Sequence, residues 1–271
     1  MEDAMQFAPS ENPALATYSP EVRQQLFRFV LQLADTSLIL GHRLSEWCGH
    51  GPILEQDLAM ANIALDLLGE TRSLYQYAAE LEGQGRTEDD LAYLRSATEY
   101  RNPLLVEQPN GDFADTVVRQ FLFDNFHYHF LKQLVNNADE RLAAIAEKSL
   151  KEATYHLKWS SEWVIRLGDG TEESHRRVEK SIAELWRFSG ELTIPTALEK
   201  ELQTIGLIPE YADIQASMTA HAERVMEEAS LVIPQQVFML TGGKDGRHTE
   251  HLGYILTELQ YMQRTYPGMT W

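Results

Sequence analysis

The sequence predicts an all-α protein, a four-helix bundle with one crossover connection and additional C-terminal helices. Three observations carry this reading. Apolar residues recur at helical spacing over four stretches long enough to cross a domain, at about 1.5 Å per residue. A single irregular segment rich in proline and glycine separates the second stretch from the third, as a crossover would. Finally, no segment alternates strictly between apolar and polar residues, although 231–240 is apolar enough to leave a strand open there.

Taken in order, the first 20 residues carry Pro9, Pro13 and Pro20 among scattered polar residues and have no periodicity. They read as a poorly ordered arm, 1–20, before a single helical domain, 21–271. From Glu21 to about Trp47, Phe27, Val30, Leu31, Ala34, Leu38, Gly41 and Leu44 recur at helical spacing, and Gly49, Gly51 and Pro52 break the chain. The stretch Ile53 to Glu82 is apolar around most of its circumference, with a narrow polar stripe of Glu55, Asn62, Asp66 and Ser73, and reads as a central helix buried on two sides. A turn at Gly83 and Gly85 leads to a shorter helix, about Glu88 to Thr98, and then to the crossover, Asn102 to Gly111. Two long helices follow, Asp112 to Asn136 and Ala138 to Leu167. The remaining helices are expected near Glu172 to Leu192, Thr196 to Ile205, Tyr211 to Leu231 and Thr249 to Thr265. This order is the topology of a ferritin-like bundle.

Composition narrows the function classes. The 271 residues hold 41 acids against 23 bases, a formal charge of -18. Nucleic acid and anionic membrane both call for a cationic footprint, so neither is expected as a partner. No run of about 18 apolar residues could span a bilayer, and the start lacks the basic region of a signal peptide, so a cytoplasmic protein is expected. The single cysteine, Cys48, can form no internal disulfide and reads as a small buried residue.

Ferritin-like bundles build di-iron sites from Glu and Glu-x-x-His on facing helices, because positions i and i+3 share a face. Two such motifs occur here in damaged form, Asp124-Asn-Phe-His127 and Ala153-Thr-Tyr-His156. On a wheel of about 100° per residue, Asp124 falls in the middle of the stripe Val117, Phe121, Tyr128, Leu131 and Val135, with His127 at its edge. In the next helix Ala153 occupies the equivalent place on the stripe Leu142, Ala146, Leu150, Leu157 and Val164, with His156 at its edge and Glu152 off the face. The opposite half of the bundle offers less. Leu54, Leu58, Ala61, Leu65 and Leu68 read as its core-facing positions, and Asp35 and Glu46 as facing the polar side, with only His42 near the apolar edge. No catalytic, cofactor or metal residues are therefore assigned. Asp124, His127 and His156 read as a remnant polar core in which Asp124 pairs with one of the two histidines, because an unpaired buried carboxylate costs several kcal/mol. The competing reading is a metal-dependent oxygenase that uses these three residues.

No phosphate-cradling loop or nucleophile elbow is present. The segment Thr241 to Gly253 alone is dense in glycine, charge and histidine together. It reads either as a partner- or anion-contacting loop, through Lys244, Arg247, His248, Glu250 and His251, or as a polar turn in which Thr249 caps the last helix. A free-standing binder of a CoA thioester, through Lys244 and Arg247, is a further possibility.

Several longer strings carry a resemblance. Leu44-Ser-Glu-Trp-Cys-Gly-His50, Asp57 to Gly69, Leu105 to Asp115, Lys151 to His156, Leu185-Trp-Arg-Phe188, the Gly242 to Gly253 loop and Pro267-Gly-Met-Thr-Trp271 occur in the order found in the C subunits of bacterial ring-1,2-phenylacetyl-CoA epoxidases. The match runs from about Leu33 to the C-terminus, with the arm read as an extension. The resemblance implies a ferritin-like, non-catalytic structural subunit with no cofactor of its own. It would bind and stabilise a homologous catalytic A subunit that carries di-iron, in an oxygen- and NADPH-dependent epoxidase of aerobic phenylacetate breakdown. Further subunits would include a reductase carrying flavin and iron–sulfur groups.

Overall fold

A computed structural model describes residues 18–269, so most of the expected arm, residues 1–17, lies outside the described residues. Within them are ten α-helices and no strand. Four long helices form the bundle: α1 (Pro20–Ser45), α2 (Leu54–Glu82), α5 (Phe113–Leu134) and α6 (Glu140–Gly168). Helix α1 packs along α2 and α5 along α6, and α2 meets α6 across the bundle. Between the two pairs run α3 (Glu88–Tyr93) and α4 (Leu104–Glu107), the latter a single turn inside the segment expected to be irregular throughout. Helices α7 (Glu172–Ser189) and α9 (Tyr211–Glu228) lie against α5 and α6. Helix α8 (Ala197–Thr204) touches α1, and α10 (Glu250–Thr265) rests on α3 and α4. The stretch 231–240, where a strand was open, is coil linking α9 to the last loop.

Local chemistry explains where the helices start. Pro20, with its fixed φ, occupies the first turn of α1, and the Ser19 hydroxyl accepts from the Val22 amide at 3.3 Å. Thr87, Asp112, Thr171 and Thr196 each open a helix with a reciprocal capping box. Asp139 caps α6 at Leu142 N, 2.9 Å, and also accepts from the Tyr77 hydroxyl on α2 and from the Tyr18 hydroxyl at 3.0 Å. Helix α2 ends at Gly83, whose left-handed backbone (φ 68°) is open to glycine at no steric cost.

The facing of α2 differs from the sequence expectation. Leu54, Leu58 and Leu65, expected in the core, are 70%, 54% and 65% exposed, whereas Met60, Ile63, Ala64, Leu67 and Leu74 are buried. Both sides of this helix are apolar, so periodicity alone cannot say which one packs, and the neighbours α1 and α6 take the Ile63–Leu67–Leu74 side. Asp35 is likewise fully buried rather than directed to the polar side. Cys48, expected to be buried, is exposed.

Asp35 fastens the crossover to the bundle. Arg95, after α3, forks onto both carboxylate oxygens, with Nη1 to Oδ2 at 3.0 Å. The Tyr75 hydroxyl and the Arg101 amide donate to the same group at 2.6 and 2.8 Å. Both side chains are dry, at 3% and 0% exposure. Burial disfavours the Arg95 charge, but the carboxylate beside it more than offsets this and raises its pKa. Replacing Arg95 by Met strands a buried anion and should cost about 3–5 kcal/mol in urea unfolding. The double variant Arg95→Met with Asp35→Asn should recover much of that loss, and equal losses in the single and double variants would refute the pairing.

Candidate functional site

The polar centre of the bundle draws on all four long helices. Glu70 on α2, 6% exposed, accepts from the Ser37 hydroxyl on α1 at 2.9 Å and faces His127 Nε2 on α5 at 3.1 Å, with the Ser149 hydroxyl of α6 also bonded to it. Burial opposes ionisation of Glu70, yet His127 and the two hydroxyls outweigh it and hold the carboxyl below its ordinary value. Burial likewise opposes a charge on His127, and the Glu70 carboxylate more than compensates, raising the imidazole pKa. A cavity of about 30 Å³, the size of a water molecule or two, adjoins this pair. Ser37, Glu70 and His127 stand at its polar side and Phe123, Phe126 and Leu142 on its apolar side.

Asp124 is completely buried on α5, as its place in the apolar stripe implies. Its partners, however, are neither histidine. Gln120 Nε2 donates to Oδ1 at 2.7 Å and the Ser160 hydroxyl of α6 donates to Oδ2 at 2.8 Å. His127 turns to Glu70, and His156 on α6 meets Asp66 on α2 at 3.0 Å. The three candidate residues thus enter three separate pairings rather than one cluster. The wheel gave directions from the helix axis, but the choice of partner depends on which residues the facing helices present. Burial pushes the Asp124 carboxyl up, and His156, Ser160, Gln120 and His127 only partly counter it, leaving it at about 6.

Glu70 is the residue that sequence reasoning missed. Its signal was present, since it stands on one face with Ile63, Leu67 and Leu74, at offsets of -7, -3 and +4. With Glu70 in place, the centre can be tested against the di-iron pattern. Glu70 is followed three residues on by Ser73, so this motif keeps the carboxylate and lacks the histidine. Ala153 precedes His156, so that motif keeps the histidine and lacks the carboxylate. Helix α1 presents Ser37 to Glu70 where such sites place a further carboxylate. Among the described residues no group of three His, Cys, Asp or Glu side chains is arranged to hold a metal ion. The residues present do not fit a di-iron centre.

The 241–253 loop is used structurally more than expected. Lys244, read as an anion donor, is buried and donates to both oxygens of Glu199 at 3.0 and 2.9 Å. Burial works against the Glu199 charge, and Lys244 overcomes it. Gly243 is pressed against the crossover, where a Cβ would come within 2.3 Å of the Asn102 carbonyl oxygen. His248 directs its two nitrogens at Glu107 Oε2 and the Tyr100 carbonyl, at 2.8 and 3.0 Å. These acceptors prevail over burial and raise its pKa. The Thr249 hydroxyl donates to Glu107 at 2.7 Å instead of capping α10. Arg247 and Glu250 are exposed and His251 is half-buried. The loop lies close because Glu107, Glu191 and Glu199, distant in sequence, supply its acceptors.

This bundle, with two half-kept ligand motifs, defines a ferritin-like protein, and comparison with known proteins gives its family. The chain belongs to the phenylacetic acid catabolic protein family, whose model matches residues 10–271, beginning before the expected start near Pro20. It is 47% identical over 247 residues to the C subunit of the 1,2-phenylacetyl-CoA epoxidase of Escherichia coli (strain K12), covering 91% of this chain and 99% of that protein. No helix among the described residues is long and apolar enough to cross a membrane.

The raised Asp124 pKa fixes a pH window. An unfolded Asp ionises near 3.8, so between about pH 4 and pH 6 the folded state retains a proton that the unfolded state has lost, and stability falls as pH rises. In the Asp124→Asn variant the amide would keep the Gln120 bond and could donate to Ser160, whose hydroxyl has the His156 carbonyl as its other acceptor at 3.0 Å. Relative to Asp124→Asn, the wild type should therefore lose roughly 2–3 kcal/mol between pH 4 and pH 6.5 in a urea-unfolding series. Parallel stability curves for the two proteins would rule this out.

Proposed function

We propose that this chain is a non-catalytic structural subunit of a phenylacetyl-CoA epoxidase, working in the cytoplasm in aerobic phenylacetate catabolism. It binds the homologous di-iron A subunit and holds it in an active, oxygen- and NADPH-dependent assembly. The reductase subunit of that assembly carries the flavin and iron–sulfur groups. The observation that carries the reading is the polar centre, where Glu70, Asp124 and the Nε2 atoms of His127 and His156 are engaged by separate residues of this chain and where Ser73 and Ala153 stand at ligand positions. The near full-length similarity to an epoxidase C subunit supports it. A partner is also favoured by the apolar outer stripe of α2, where Ile53, Leu54, Leu58 and Leu65 are all more than half exposed.

The alternative, an oxygenase acting through Asp124, His127 and His156, would need these side chains to leave their separate partners and converge on a metal. One experiment separates the readings. The chain is produced alone and together with the A subunit, followed by size-exclusion chromatography and iron analysis. The expected result is an iron-free solo chain and a stable heteromeric complex that carries the iron, weakened by Leu58→Glu with Leu65→Glu while the variant's melting temperature is kept. A solo chain that binds stoichiometric iron and consumes oxygen would overturn the proposal.

A further inference from the structure

Helices α5, α6 and α9 enclose a groove of about 460 Å³ that plays no part in the function proposed above. A second recess of about 450 Å³ adjoins it, sharing His129 and Lys132. In a chain with 41 acids and 23 bases, two of the cations lining this groove make no ion pair with a carboxylate among the described residues. They are Lys132, which sits 6.0 Å from the Tyr128 ring, and Arg224. A third cation, Lys158, is only loosely engaged by Glu162 at 3.9 Å, and Glu162 also faces Arg166 at 3.8 Å. Glu228 is the other carboxylate on the rim.

Arg224 is positioned rather than free. Its Nη2 donates to His221 Nδ1 at 2.7 Å, and His221 Nε2 lies 3.1 Å from the Ser161 hydroxyl. Burial, Arg224 and His129 keep His221 neutral, with its pKa lowered to about 4. Since Nδ1 accepts from the guanidinium, the ring proton must reside on Nε2 and point at Ser161. That tautomer cannot take a proton from Ser161, so the pair is not a nucleophilic dyad. It serves to hold one edge of Arg224 while the other guanidinium donors stay available. Beside it, the Nε2 of His129 is buried without a hydrogen-bond partner. The floor between these groups is apolar, formed by Leu157, Ile165 and Val225.

We propose that this groove is a binding site for a small organic phosphate, with Arg224 and Lys132 gripping the phosphoryl oxygens and the apolar floor receiving the organic body. A planar guanidinium held by a neutral histidine is suited to two-pronged contact with phosphate, and a nearby ammonium adds a point charge. The chain's formal charge of -18 repels an anion over most of the surface, so attraction arises only where bases gather locally.

The test titrates the full-length chain with inorganic pyrophosphate and with ADP by isothermal calorimetry at low salt. Arg224→Gln and Lys132→Gln are measured alongside, and Lys200→Gln, an exposed change on α8, serves as control. Near-UV circular dichroism verifies that each variant is folded. Expected are saturable binding of both probes, tighter for ADP because of its organic body, and at least about tenfold weaker binding in each groove variant with the control unchanged. No saturable binding of either probe, or affinity kept within about threefold in either groove variant, would overturn the site. ADP binding no tighter than pyrophosphate would overturn the role given to the apolar floor.

Discussion

The structure rests on the need to satisfy buried carboxylates. Asp35, Glu70, Glu107, Asp124, Asp139, Glu191 and Glu199 are all less than one-tenth exposed, and an ionised carboxylate in such a place costs several kcal/mol unless charges or donors surround it. Each of these groups has recruited at least one partner from an element far away in sequence. Asp35 draws in Arg95 and Arg101, Glu107 draws in Thr249 and His248, and Glu199 draws in Lys244 and Gln32. The apolar core gathers the helices, but it is non-directional. The carboxylates decide how the crossover and the 241–253 loop lie upon it, because a misplaced loop would leave an anion unpaired.

The same requirement reshapes the polar centre. In the pattern of a di-iron bundle, cations neutralise the inward-facing carboxylates. In this chain, hydroxyl, amide and imidazole groups stand around Glu70 and Asp124, and the facing helices carry Ser37, Ser149 and Ser160. Small hydroxyl side chains fit closely packed helices and donate a hydrogen bond without bringing a charge of their own, so the centre stays compact.

The helices were legible in the sequence because their determinants are local. Capping residues at Ser19, Thr87, Asp112, Thr171 and Thr196 and the 3.6-residue period mark starts and lengths. The buried positions of Asp124 and His156 were legible for the same reason, since each lies on or beside a single well-defined apolar stripe. Helix α2 was misread because it carries two apolar faces and only its neighbours select between them. Asp35, Glu107 and Lys244 resisted reading because their meaning depends on partners 45 to 142 residues away. Periodicity reports which way a side chain leaves its own helix and carries no information on what meets it there.

Asp139 joins elements that are distant along the chain, and this shapes how the molecule breathes. It supplies the first cap of α6 while accepting from Tyr77, near the end of α2, and from Tyr18, just ahead of α1. None of the three can open without leaving the shared carboxylate short of donors. In amide hydrogen exchange, the start of α1, the last turns of α2 and the first turn of α6 are therefore expected to open as one cooperative unit, although helix termini ordinarily fray independently.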